Sequence, residues 1–253
     1  MGETIRVTTL DDGIVRHILL DSPKDHNALS PDLLEQLQTA LDGASSSAAR
    51  VIRLGHVGPT FCSGMDLRTM VGTAPDLSPL RRVLETLSLT RQPTVATISG
   101  HVRAGGIGIM AACDVVFVAR HTDFAFTETK LGAIPALISG PLFKRVAPHL
   151  ISRYYLSGEV FDAETAYNMG LVTEAVDDPT AAANNWAASV AAAAPGAVSA
   201  TLKLLRQAVA GGLPTLRALQ ELSERTFAGA EAQEGIRALL GKRKPVWGAF
   251  EAP

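Results

Sequence analysis

Pro93-Thr94-Val95-Ala96-Thr97-Ile98-Ser99-Gly100-His101-Val102-Arg103-Ala104-Gly105-Gly106-Ile107-Gly108-Ile109-Met110-Ala111-Ala112-Cys113-Asp114-Val115-Val116-Phe117-Val118-Ala119 decides the fold. The apolar, β-branched run at 93–99 reads as a buried strand, and the four glycines of 100–108 read as a loop. Residues 109–113 look helical, and 115–119 return to strand. Upstream, 51–54 is another short buried strand, followed by a loop at 55–64 with three glycines and Pro59. Strands alternating with helices in this way imply a sheet with crossover connections.

Further out, 4–9 and 13–20 read as two strands joined by the turn Asp11-Asp12-Gly13, a hairpin placed at one end of the sheet. Ser30-Pro31 supplies a capping hydroxyl and a first-turn proline, and Leu33, Leu34, Leu37 and Leu41 then share one helical face. Beyond Pro141 the pattern turns helical, at 160–170, 181–194, 198–210, 213–228 and 232–240. The expected class is α/β over the first 150 residues and mostly α thereafter. These Ala-rich helices with leucine stripes suit packing on the same subunit, with subunit contact as the alternative.

A chain of 253 residues that is 47% hydrophobic can bury one large core, alone or with a small appendage. With 23 basic and 25 acidic residues the net charge is -2, so no overall field favours nucleic acid or an anionic membrane. Cys62 and Cys113 are the only cysteines, which excludes a disulfide framework and fits a reducing cytoplasm. The most apolar run, 107–118, is broken by Asp114 and falls short of a membrane span. The six histidines form no i, i+4 ligand pair, so no metal is expected.

Two stretches can present free backbone amides. Phe61-Cys62-Ser63-Gly64-Met65-Asp66-Leu67 sits between a strand and a helix start, where N–H groups lack partners; its plainer reading is a turn capped by Asp66. Arg103-Ala104-Gly105-Gly106-Ile107-Gly108 follows the next strand. Two such loops after successive buried strands are placed to converge on one oxygen. Gly106-Ile107-Gly108-Ile109-Met110-Ala111 also fits a dinucleotide fingerprint, but residues 100–105 separate it from the strand end it should follow. Glu128 lies among apolar residues, where burial would raise its pKa toward the range useful for proton transfer; pairing with Lys130 on the surface is the alternative. No G-x-S-x-G elbow occurs.

In combination these segments resemble the enoyl-CoA hydratase/isomerase (crotonase) family along nearly the whole chain. The likeness rests on Ser22-Pro23-Lys24-Asp25-His26-Asn27-Ala28-Leu29, on 61–67, on 100–114, on 128–135 and on the basic Gly241-Lys242-Arg243-Lys244-Pro245. It implies a spiral ββα core over 1–195 and a helical trimerisation region over 196–253. It implies oxyanion amides at Met65 and Gly105 and a catalytic carboxylate at Glu128. Lys24, Asp25, Ala28, Ser63, Asp66, Leu67, Gly106 and Gly108 would line the acyl-CoA site.

The substrate would be an acyl-CoA thioester with coenzyme A as part of it and no separate cofactor, handled by a homotrimer or homohexamer. Walls of the acyl pocket fall at 67–83 and 137–143. Two departures stand out. Hydratases of this family commonly place two glutamates across the alkene, and the first position is Gly108 here; Ile134-Pro135-Ala136-Leu137-Ile138-Ser139 replaces a glycine-rich run. The resemblance therefore implies hydration first, with 3,2-enoyl-CoA isomerisation by one glutamate, or acyl-CoA binding without turnover, as alternatives.

Overall fold

The computed structural model describes residues 7–71, 76–212 and 214–248. The strand start expected at residue 4, the helix start at residue 213 and the 72–75 part of the pocket wall lie outside the described residues.

The hairpin forms as β1 (Val7–Asp11) and β2 (Val15–Leu20), antiparallel to each other. Its turn is closed by the Asp12 carboxylate, which accepts the N–H groups of Ile14 at 3.0 Å and Val15 at 2.6 Å, while Gly13 takes φ +84°. Helix α1 (Pro31–Ser45) begins where the cap placed it: Ser30 Oγ accepts the Leu33 N–H at 3.2 Å, and Leu33, Leu34, Leu37 and Leu41 are buried.

β3 (Val51–His56), a short β4 (Thr60–Cys62), α2 (Ser78–Leu89), β5 (Thr94–Ile98), a short β6 (His101–Arg103), α3 (Gly105–Ala112), β7 (Val115–Ala119) and β8 (Asp123–Ala125) follow. Then come α4 (Ala136–Leu142), α5 (Pro148–Ser157), β9 (Phe161–Asp162), α6 (Ala163–Asn168), β10 (Glu174–Val176), α7 (Pro179–Ala192), α8 (Pro195–Ala210), α9 (Leu216–Ala228) and α10 (Ala230–Leu240). The main sheet runs β1-β2-β3-β5-β7-β10 and is parallel from β2 onward. The hairpin sits at its edge, as the sequence predicts.

A second sheet, β4-β6-β8-β9, was not expected. Its strands are three residues or shorter, two of them inside stretches read as glycine loops, and so short a run carries no legible period of two. Helix α3 also starts earlier than predicted, so Gly105, Gly106 and Gly108 lie in its first turns rather than in a loop. The segment read as helix over 160–170 is β9 followed by the shorter α6.

Alternation along the main strands sorts the core into two layers. Ile52, Leu54, Ala96, Ile98, Val116 and Val118 face α1, α2 and α3, whereas Val51, Val95 and Phe117 face Ala183 and Ala187 of α7. Alanine on that stripe lets α7 approach the sheet closely.

Helix α8 is docked by one charged clamp. The Arg206 guanidinium spans both Asp114 carboxylate oxygens at 3.0 Å and donates to the carbonyls of Leu87 and Thr90 at the end of α2. Asp114 is held from its other side by the Thr94 N–H and hydroxyl, each at 2.8 Å. The pair is largely shielded, and it satisfies carbonyls that end a helix. We expect Arg206→Ala to lower unfolding free energy by about 2 kcal/mol in urea titrations, and Arg206→Lys, which lacks the fork, to recover less than half of it.

Candidate active site

The first loop is held by a backbone zipper. Leu29 N–H donates to Gly64 O at 2.8 Å, Asp66 N–H to Leu29 O at 3.3 Å, and Ser63 N–H to His26 O at 3.1 Å. Beneath it, fully buried Asn27 donates to the carbonyls of Val57 and Thr60 and accepts the Ser22 N–H at 2.7 Å. His26 and Asn27 both take positive φ to make this fit, at 53° and 52°. Between the zippered groups the Met65 N–H has no hydrogen-bond partner among the described residues.

The second loop turns at Ala104, whose φ of +47° is rare for a residue with a side chain. Its N–H is tied to Ala125 O at 3.1 Å and its carbonyl accepts the Ile107 N–H at 2.9 Å. Gly105, the first residue of α3, keeps its own N–H without a partner among the described residues.

The loops meet. A Cβ on Gly64 would stand 3.2 Å from Ala104 Cβ, and one on Gly105 would stand 2.8 Å from the side chain of Leu29, the residue bridged to Met65. At Gly64 the backbone also takes φ +97°, so a side chain there would be strained as well as crowded.

Glu128 arrives from the same direction. β6 pairs with β8 in the register Arg103↔Ala125, so the second loop and the strand leading to Glu128 leave side by side. Glu128 opens a one-turn 3-10 helix, Glu128–Leu131, closed by Ala133 N–H on its carbonyl at 3.0 Å. Its carboxyl is half-buried, its Oε2 has no partner, and burial pushes its pKa above the usual glutamate value. The surface pairing with Lys130 that the sequence allowed does not form. Buried Phe126 stacks on Phe161 and meets the Tyr155 ring edge-on at 4.7 Å, which fixes the turn on a rigid base.

The other residues implied by the resemblance gather along the zipper. Lys24, Ser63 and Leu67 are exposed, and Ala28 is buried below them. Asp25 and Asp66 both hold Arg68, and Arg68's bonds keep the Asp66 carboxyl below the usual aspartate range. Asp66 also caps the following turn through the Arg68 N–H at 3.2 Å, so its plainer reading as a cap is met.

Gly108 has a packing reason. A Cβ there would stand 2.5 Å from Ile138 Cγ2, so the isoleucine of α4 fills the place a side chain would need. Gly106 and Gly108 are buried within α3, packed on Cys62 and Ile138, rather than at an open strand-to-helix turn as the dinucleotide fingerprint requires. Ile138 and Ser139 lie in the departing stretch 134–139 and in the expected pocket wall, but their partners are not legible in sequence, and Tyr155 is not singled out there. Tyr155 OH lies 2.6 Å from Ser139 Oγ, and both reach Pro135 O. The departure at 134–139 was the available signal, since a bulky residue there and a glycine at 108 are complementary. An open cleft of about 1020 Å³ among α8, α10 and the tail is no rival site, because Glu231 already caps the N-terminus of α8 and Glu234 already clamps Arg243.

Two partner-free amides on loops that meet, with a half-buried carboxyl in the turn after the neighbouring strand, make up the candidate site. The enoyl-CoA hydratase/isomerase family profile matches residues 11–249. A Thermus thermophilus protein provisionally named an enoyl-CoA hydratase is 31% identical over 251 residues, covering 93% of this chain and 98% of that one. Among solved structures, an enoyl-CoA hydratase from Mycobacterium avium is similar at 34% identity with a TM-score of 0.73, covering 96% of this chain and 99% of its own. One from Shewanella pealeana reaches a TM-score of 0.89 at 25% identity, covering 96% of each. The chain belongs to the enoyl-CoA hydratase/isomerase family and has its crotonase-like fold.

The contact between Gly108 and Ile138 makes a directional expectation. Gly108→Ala should cost about 1–3 kcal/mol by overpacking. Ile138→Ala should cost about 2–5 kcal/mol by opening a cavity. In urea titrations the double variant should lose at least about 1 kcal/mol less than the two singles combined, because each change relieves the other.

Proposed function

We propose that the chain is an enoyl-CoA hydratase working with one carboxylate. The thioester oxygen accepts the N–H groups of Met65 and Gly105. Ionised Glu128 takes a proton from water as that water's oxygen bonds to Cβ of the 2-enoyl group, and the π electrons move onto the thioester oxygen. The enolate then collapses as Cα takes the proton back from Glu128, so one water is added and the carboxylate is regenerated. Each amide donor of this kind is worth about 2.7–4 kcal/mol, and a positioned base about 10²–10⁴-fold. Lys24 and the exposed strip at Ser63 and Leu67 would border the coenzyme A portion.

The observation carrying this reading is the half-buried Glu128 with a partnerless oxygen, in the turn after a strand that is bonded to the loop that frees Gly105. Ile138 in the side-chain space of residue 108 supports a second reading, 3,2-enoyl-CoA isomerisation, which needs only one carboxylate to carry a proton between carbons. Crotonyl-CoA should lose its conjugated enoyl absorbance with the purified protein. A 3-enoyl-CoA gaining that absorbance would favour the isomerase instead, and retained coenzyme A binding with neither change would identify a non-catalytic relative. Both thiols are buried and free, in keeping with a cytoplasmic setting. Leu216, Phe227, Leu239 and Leu240 on α9 and α10 are exposed apolar groups suited to contacts between subunits within the 196–253 region. Light scattering should give three or six times the 26.6 kDa of one chain.

Glu128→Gln should lower kcat by at least about 10²-fold with little change in affinity for the coenzyme A portion. In the wild type, kcat/KM should fall on the acid side with a midpoint above 4.5, since only the ionised form accepts a proton and burial raises the pKa from that value. Stability follows the same shift. Between 4.5 and the raised pKa the folded chain holds the proton that the unfolded chain releases, so stability falls as pH rises through that window. Glu128→Gln should therefore melt above the wild type at pH 7, with the gap narrowing toward pH 4.

A further inference from the structure

We propose that the Cys62 side chain is a positioning residue that clamps the two amide loops to one sulfur and so sets the aim of Met65 and Gly105. The inference rests on the reading of those two amides given above. Cys62 ends β4, is fully buried, and its Sγ accepts the Gly64 N–H at 3.3 Å. Gly106 of α3 lies directly on the same side chain: a Cβ there would stand 2.6 Å from Cys62 Cβ and 3.0 Å from Sγ. The sulfur therefore packs directly on the Gly106 backbone. Burial pushes the thiol up to about 12, opposed by the Gly64 and Gly106 amides.

Register explains the consequence. Gly64 precedes Met65 and Gly106 follows Gly105, so one sulfur engages the peptide neighbour of each candidate oxyanion donor. With Gly64 N–H on the sulfur and Asp66 N–H on Leu29 O, the Met65 N–H between them is left without a partner among the described residues. On the other loop, Ile107 N–H bonds Ala104 O and Gly106 packs on the sulfur, which leaves Gly105 as the donor of that turn without a partner among the described residues. A neutral sulfur suits the task, because it is large enough to touch both loops and too weak an acceptor to compete for the donors meant for substrate. A serine hydroxyl keeps an acceptor but sits closer to its own Cβ, and alanine removes the clamp.

The test uses the 253-residue chain with a cinnamoyl-CoA thioester, whose absorbance moves to longer wavelength as its carbonyl is polarised, alongside crotonyl-CoA kinetics. Cys62→Ala should cut kcat about tenfold while KM stays within about twofold, and should shrink the red shift of the bound chromophore. Cys62→Ser should recover more than half of the shift and of kcat. Melting temperatures, and a red shift normalised to bound ligand, separate this from a simple loss of fold. Cys62→Ala with wild-type kcat and wild-type shift would overturn the clamp, as would a serine variant no better than alanine. An unshifted chromophore in the wild type would instead overturn the amide reading on which the clamp rests.

Discussion

The proposed chemistry of this chain depends on the contact between Gly64 and Ala104, where the ends of two short parallel strands bring two loops together. Backbone amides are useful to a developing oxyanion only when they are fixed before it forms, because reorganisation at the moment of reaction would consume the stabilisation they offer. Here the fixing is done by neighbours. The zipper to residues 26–29, the tie from Ala104 to Ala125 and the sulfur of Cys62 each satisfy an adjacent group and leave one N–H over.

That arrangement has a stability cost, and the cost is concentrated at the site. Ala104 holds a positive φ that a non-glycine residue adopts only under constraint, at about 1–3 kcal/mol. Glu128 keeps a carboxylate oxygen buried without a partner. The offsets lie elsewhere, in the sealed layers on both faces of the main sheet, in the aromatic base under residue 128, and in the clamp of Arg206 on Asp114. A site that is locally unfavourable on a rigid frame suits the proposed proton transfer at a half-buried carboxyl. Gly108 and Ile138 belong to the frame: their mutual fit closes the space where a second acid would stand.

Much of this was legible in the residues, for identifiable reasons. Ser30-Pro31 and the leucines behind it announced α1, and the β-branched runs at 51–54, 93–99 and 115–119 announced the parallel sheet, since caps and long apolar strands carry strong local signals. The second sheet was not legible, because strands such as Phe161–Asp162 are too short to show a period and are stabilised by pairing across the fold. Helix α3 was placed late because glycines read as loop, although Gly105, Gly106 and Gly108 are glycines for lack of room against Leu29, Cys62 and Ile138. The same blind spot hid Cys62 and Ile138. Their roles appear only when two segments distant in sequence are brought into contact.

The central claim is that two peptide N–H groups polarise one thioester carbonyl beside Glu128. Its most direct measurement is the infrared carbonyl stretch of an enoyl-CoA carrying a carbon-13 thioester carbonyl, free and bound to the Glu128→Gln protein so that no turnover intervenes. The account predicts a stretch displaced to lower frequency on binding, as hydrogen bonding from both amides weakens the double bond. A bound carbonyl vibrating at the frequency it has free in water, or higher, would contradict it.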